Sequence, residues 1–199
     1  MRLSRSERRA SILAAATAAF ARGGYDATSM NDLAAAAGVT PLILYRHFES
    51  KEDLYRQVVL GATERQRTAV DGAPTARFGI DTRMVLAAAR EDPAGFTVLW
   101  RHAVREALFA APVVGLRRVL VGRVRASLAD TVEQELTRWA AEATVGYLID
   151  AVLTWLDHGS ERHDQRFVAA TDAAMRAGVQ AWTRPLTDPP RSGARRQRG

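Results

Sequence analysis

The stretch from Thr28 to Leu54 constrains this chain more than any other: two short apolar helices, a tight turn, and a third helix that begins at once. Thr28 or Ser29 offers a hydroxyl to cap the first helix, because a side-chain oxygen there accepts from an orphan backbone N–H. Asp32 falls in the first turn, where the helix dipole favours negative charge. Leu33, Ala34 and Ala37 recur at helical spacing. Gly38 suits the left-handed position that ends a helix, and Val39 follows to plug the angle. Thr40 is the next cap, with Pro41 at the first helical position, where a missing N–H costs nothing. Leu44 and Phe48, four apart, are expected to face inward. Leu42, Ile43, Tyr45, Arg46 and His47 then point outward or sideways. Such a face suits thymine methyls, base edges and phosphates. Ser50 and Asp53 form a further cap that opens a long helix. The pattern predicts a helix-turn-helix over about residues 29–48, its second helix shaped for a DNA major groove.

The flanking sequence reads as helical almost throughout. Ser4 to Glu7 forms a capping box. Ile12, Leu13, Ala16 and Phe20 give the helix behind it an apolar face, and Gly23 and Gly24 end it. Arg2, Arg5, Arg8 and Arg9 lie at its start, either as a basic arm for phosphates or as a solvated end. The helix opened by Ser50 is expected to run to about Val70 and to break over Asp71 to Pro74. Further helices are expected over about 76–90, from Pro93 through Phe96, Leu99, Trp100 and Ala103, and from Pro112 through Leu128. The last two run from about Val132 to Asp157 and from about Arg162 to Trp182. No strand-like alternation appears, so the fold class is all-α. Arg191 to Gly199 reads as part of a disordered basic tail.

Composition narrows the function. With 47% hydrophobic residues in 199, a sizeable core is available. No apolar run of about 18 residues suggests a membrane span, and the basic start lacks the apolar region of an export signal. The absence of cysteine excludes disulfides, thiolate chemistry and zinc–cysteine sites. A cytoplasmic setting is expected. The net charge of +6 favours a polyanionic partner. Lys51 is the single lysine.

The ordered set Arg9 to Phe20, Gly24-Tyr25, Thr28-Ser29, Leu33-Ala34, Ala37 to Thr40, Leu44 to Phe48 and Ser50 to Leu54 resembles the TetR family of transcriptional regulators. The resemblance covers roughly the N-terminal third. Leu42 and Ile43 depart from it, since many members carry Gly and a small residue there. It implies a helix-turn-helix domain over 1–66, a helical effector-binding and dimerisation domain over 67–185, and the tail over 186–199. It also implies that Ser29, Thr40, Pro41, Leu42, Ile43, Tyr45, Arg46, His47 and Lys51 meet double-stranded DNA. Thr40, Leu42, Ile43 and Arg46 would reach bases and the groove; Tyr45, His47 and Lys51 would hold phosphates. Family members bind a small effector inside the C-terminal helices. Here Phe96, Leu99, Trp100, Leu116, Leu120, Trp139 and Tyr147 are candidates to line such a cavity, whose aromatic rings suit an apolar or aromatic effector.

The helix from Val132 is apolar on more than one side, and the last helix carries small residues in a row. Both features suggest a homodimer packed as a four-helix bundle. Its candidate interface is Leu148, Val152, Trp155, Phe167, Ala170, Ala174, Gly178 and Ala181; the alternative is an intramolecular seam. A two-fold dimer calls for a roughly palindromic operator with half-sites about 34–36 Å apart. Arg101, His102, Arg105 and Glu106 form a polar cluster, read as a solvated face, an ion pair or an effector contact.

Other chemistries are weakly supported. His158 and His163, with Asp157 and Asp164 beside them, lack a recognised metal-ligand spacing, so no metal and no cofactor are expected. No phosphate-binding loop or nucleophile elbow occurs, and no enzyme is expected. The competing reading is a helical module that binds a protein or a small molecule, with Leu42 and Ile43 as an exposed apolar patch.

Overall fold

The computed structural model describes residues 4–72, 79–129 and 134–182. Among them the chain forms α-helices and short turns of tighter or wider helix, with no strand. α1 (Arg5–Gly23), α2 (Met30–Ala36) and α3 (Pro41–Tyr45) make the N-terminal head. α4 (Lys51–Gly72) leaves it for the body: α5 (Thr82–Glu91), α6 (Pro93–Thr97), α7 (Ala110–Leu128), α8 (Gln134–His158) and α9 (Asp164–Trp182). The boundary expected after residue 66 falls inside α4, which is continuous. The break expected at Pro74, the helix start expected at Ala76 and the basic tail lie outside the described residues.

Local chemistry sets the head. Ser4 and Glu7 close a capping box on α1, and Ser29 and Asp32 close one on α2. Ser29, not Thr28, is the cap; the Thr28 hydroxyl is buried and donates to the Gly24 carbonyl at 2.8 Å. Gly38 turns the chain between α2 and α3 with φ +63°, a conformation in which a Cβ is strained. Ile12, Phe20, Leu33, Leu44, Phe48 and Leu54 form the head's core, each almost fully buried. Arg9, one of the expected arm residues, instead braces α1 on α4: its guanidinium donates to Gln57 and lies 5.1 Å from the Phe48 ring centre.

The helix expected to run on from Pro93 changes pitch. It is α-helical only to Thr97, widens to a π-turn over Val98–His102, and tightens over Ala103–Arg105. Val98, Leu99 and Trp100 are all buried. Three successive side chains cannot share the narrow stripe of a regular helix packed on one side, and a wider turn accommodates them. At its end, His102 Nε2 lies 3.0 Å from the Ala21 carbonyl at the end of α1, to which it donates. Its ring occupies the space over Gly24, where a Cβ would lie 3.0 Å from Nδ1. The π-turn is thereby tied to the head. Arg101 pairs instead with Asp157 at 2.6 Å.

α8 corrects the assignment of its two apolar stripes. Leu148 and Val152, expected at a subunit interface, are buried with Ala141 and Val145 in the protein's own core. Trp139 and Tyr147, expected in the cavity, face out at 55% and 44% exposure, with Leu136. Both stripes are apolar, so periodicity alone cannot say which one meets its own body. Trp155 is also internal: its ring stacks on Phe167 at 4.8 Å and its Nε1 donates to Asp164 at 2.6 Å.

Asp164 joins three helices. Arg90 on α5 grips both its oxygens, at 2.9 and 3.2 Å, while Trp155 donates from α8. The Arg90 hydrogen bond, with the Trp155 bond as a smaller help, holds this carboxyl below the usual aspartate range, against the opposing effect of burial. A depressed carboxyl contributes stability that is complete above the ordinary pKa and fades as pH falls through the native value. Asp164→Asn is therefore expected to lower stability by about 1 kcal/mol at pH 7. Thermal melts at stepped pH should show that gap closing below about pH 4; a pH-independent gap would assign the loss to packing.

Candidate nucleic-acid interface and effector cavity

α3 is short, and its ends explain its orientation. Thr40 precedes it in extended conformation, its hydroxyl 3.4 Å from the Ile43 N–H, and Pro41 supplies the first turn without a donor. Leu44 is wholly buried against the head, and Phe48 just beyond is 1% exposed. The rest of the turn is thereby forced outward. Leu42 is 64% exposed and Tyr45 54%, beside exposed Thr40, Pro41 and Arg46. Ile43 and His47 are half-buried at its flanks, and Ser29 is exposed at the start of α2. Leu42, Tyr45 and Arg46 thus form one open face with apolar, aromatic and cationic groups, complementary to methyls, base edges and phosphates.

Lys51 sits differently from a free surface lysine. Its Nζ donates to the Tyr25 carbonyl at 3.0 Å and lies 4.2 Å from the Tyr25 ring centre. An ammonium carries three donors, so this hydrogen bond fixes the group while leaving others for a phosphate.

The body holds a narrow cavity between α4, α5, α6 and α7. Its empty space, the open mouth included, is about 530 Å³. Phe96, Trp100, Leu116 and Leu120 line it, as the sequence suggested. Leu99 does not; it is packed in the core at 0% exposure. Trp139 and Tyr147 are on the outer face of α8, away from it. Residues not singled out from the sequence complete the wall, notably Gln66 and Val70 on α4, Met84 on α5, Arg123 on α7 and Ile149 on α8. Gln66 did carry a signal: it falls at helical spacing on the apolar stripe of Val59, Ala62 and Thr63, where a polar residue is unexpected.

Of the candidate interface residues, Ala170, Ala174 and Ala181 are exposed along α9 and Gly178 is half-exposed. Phe167 is half-buried beneath Trp155. Trp182 meets the exposed Trp139 edge-on at 5.0 Å, so the outer faces of α8 and α9 run together.

Together these features define an all-α protein with a helix-turn-helix head, a long connecting helix and a cavity-bearing helical body. Residues 12–58 match the model of the bacterial regulatory proteins of the tetR family. The chain is 38% identical over 88 residues to the transcriptional activator FasR of Mycolicibacterium smegmatis, covering 40% of each chain. It is 40% identical over 57 residues to the transcriptional repressor KstR2 of Rhodococcus jostii, covering 29% of this chain and 28% of that one. These matches thus span less than half the length of either relative. Across the whole fold, it superposes on a TetR-like transcriptional regulator from Rhodococcus sp. RHA1 with a TM-score of 0.72, at 24% identity over 90% of this chain and 97% of that one. Residues 12–58 thus match the tetR-family helix-turn-helix model, and the chain as a whole shares the fold of TetR-like regulators.

Proposed function

We propose that the protein is a dimeric transcriptional repressor that binds a roughly palindromic operator through Leu42, Tyr45, Arg46 and the residues around them, and is released by a small molecule in the body cavity. The observation that carries this reading is the outward face of α3, with Leu42 and Tyr45 open to solvent while Leu44 and Phe48 anchor the helix from behind. An exposed leucine beside an arginine can meet a thymine methyl while the arginine reaches a base edge. The release step is supported by α4, whose first turns pack in the head and whose Gln66 and Val70 line the cavity. A ligand that widens the cavity pushes on the helix that aims the head. Such an effector must bind the released state more tightly than the DNA-bound one.

The dimer is supported by the exposed Leu136, Trp139 and Tyr147 of α8 beside the alanine row of α9. Small residues let two helices approach closely, and the aromatic rings gain most from a partner.

Chromatin immunoprecipitation from the source organism, paired with transcript levels in a deletion strain, tests the role. Bound promoters whose transcripts rise on deletion are expected. Transcripts that fall would make the protein an activator, as one named relative is, and binding unconnected with any transcript change would contradict a regulatory role. At the level of residues, Leu42→Ala should change the base preferred at one position per half-site, costing about 1 kcal/mol there. Lys51→Ala should weaken all sequences and flatten the salt dependence. Binding arrays of duplex variants measure both. An unchanged preference profile for Leu42→Ala would remove that residue from the reading surface.

A further inference from the structure

The cavity wall carries one buried donor without a partner and a carboxamide beside it. Gln66 is 6% exposed and its side chain lines the cavity. Trp100 Nε1 is buried without a partner. Both residues line the same cavity, among Phe96, Leu116, Leu120 and Ile149. A buried donor left unpaired is expensive, and a native fold retains one where something else supplies the acceptor. Charge is already accounted for in this space. The Asp81 carboxylate accepts from the Arg83 backbone and guanidinium. Arg123 donates to the Val70 carbonyl at 2.6 Å and to Asp71 at 3.4 Å, holding the end of α4. Among the described wall residues, both charged side chains, Asp81 and Arg123, are thus already paired.

We propose that the cavity takes an uncharged, flat, largely apolar molecule bearing a carbonyl oxygen, which accepts hydrogen bonds from Trp100 Nε1 and the Gln66 carboxamide N–H. The proposal rests on the effector reading of this cavity and adds to it the ligand's chemical class. The two lone pairs of a carbonyl can serve both donors. The Phe96 and Trp100 rings in the wall favour a planar body. A carboxylic acid is disfavoured, because its anion would have to take Arg123 from the end of α4 or enter unpaired. Trp100 stands on the π-turn, two residues before the His102 that holds the end of α1, and Gln66 stands on α4. Both donors are thus on segments that reach the head.

Three two-ring probes separate the possibilities by calorimetry on the full chain: 2-acetylnaphthalene, the hydrocarbon 2-ethylnaphthalene, and 2-naphthoate. The ketone is expected to bind about tenfold more tightly than the hydrocarbon, and the acid no more tightly than the hydrocarbon. Gln66→Leu and Trp100→Phe should each cut the ketone's advantage to about threefold or less while leaving the hydrocarbon within about twofold. Gln66→Leu removes no volume from the core, so it keeps the test valid where Trp100→Phe melts early. Equal binding of ketone and hydrocarbon, preference for the acid, or binding of none of the three overturns the proposal. DNA release is scored separately. The expected ligand selectivity without release from DNA would sink the effector mechanism and leave this site standing; release by the acid alone would do the reverse.

Discussion

Tyr55→Ala is expected to destabilise the protein by about 3–5 kcal/mol, whereas Tyr55→Phe is expected to be neutral or to stabilise by up to about 1 kcal/mol. Tyr55 is 0% exposed at the junction of head and body. Its ring meets Phe20 of α1 and Phe109 before α7 edge-on, each at 4.7 Å, and Tyr25 at 5.1 Å. Edge-to-face pairs add to the burial of area, so truncation removes both and leaves a hole. The hydroxyl is another matter, since it is buried without a partner. Burial, and to a lesser degree the nearby Glu106 carboxylate, pushes its ionisation well above the ordinary tyrosine range. It is a cost that phenylalanine does not carry. Urea unfolding followed by circular dichroism measures both variants. A loss above about 1 kcal/mol for Tyr55→Phe would mean that the hydroxyl has a partner in solution.

The second large effect concerns assembly. Trp139→Arg should yield a folded monomer and lower affinity for an operator duplex by at least about a hundredfold. Trp139 is 55% exposed and touches Trp182 rather than the core, so little of its own subunit depends on it. In the proposed dimer, an arginine on the outer face of α8 would be buried in each subunit without a counter-ion, which is strongly unfavourable. Losing the second head removes the avidity of two half-sites bound at once. Sedimentation equilibrium reads the assembly, and fluorescence anisotropy on a labelled duplex reads the DNA. A variant that stays dimeric would move the interface off the outer face of α8. A monomer with unchanged affinity would mean that one head suffices.

What could be read from the sequence was what is settled locally. The caps at Ser4, Ser29 and Thr40, the glycine turn at Gly38 and the inward Leu44 and Phe48 all follow from backbone groups that must be satisfied within a few residues. They fixed the head and the open face of α3 without any knowledge of the body. The faces of α8 were not legible in this way. Two apolar stripes on one helix are equivalent until the neighbours are known, and the cavity and interface roles assigned to Trp139, Tyr147, Leu148 and Val152 went to the wrong stripes. The π-turn also escaped, because consecutive buried residues at Val98, Leu99 and Trp100 look like any apolar run. Lys51 illustrates a third limit. Its place at the start of α4 was visible, whereas the hold of the Tyr25 carbonyl and ring on its amine depends on a residue 26 positions away.

The central claim is that α3 reads sequence in a two-fold arrangement. Selection of bound duplexes from a random pool at near-physiological salt, followed by sequencing, tests it most directly. The account predicts enrichment of a palindromic motif whose half-sites are separated by about one helical turn or somewhat more. Weak, salt-sensitive binding with no enriched motif would contradict it.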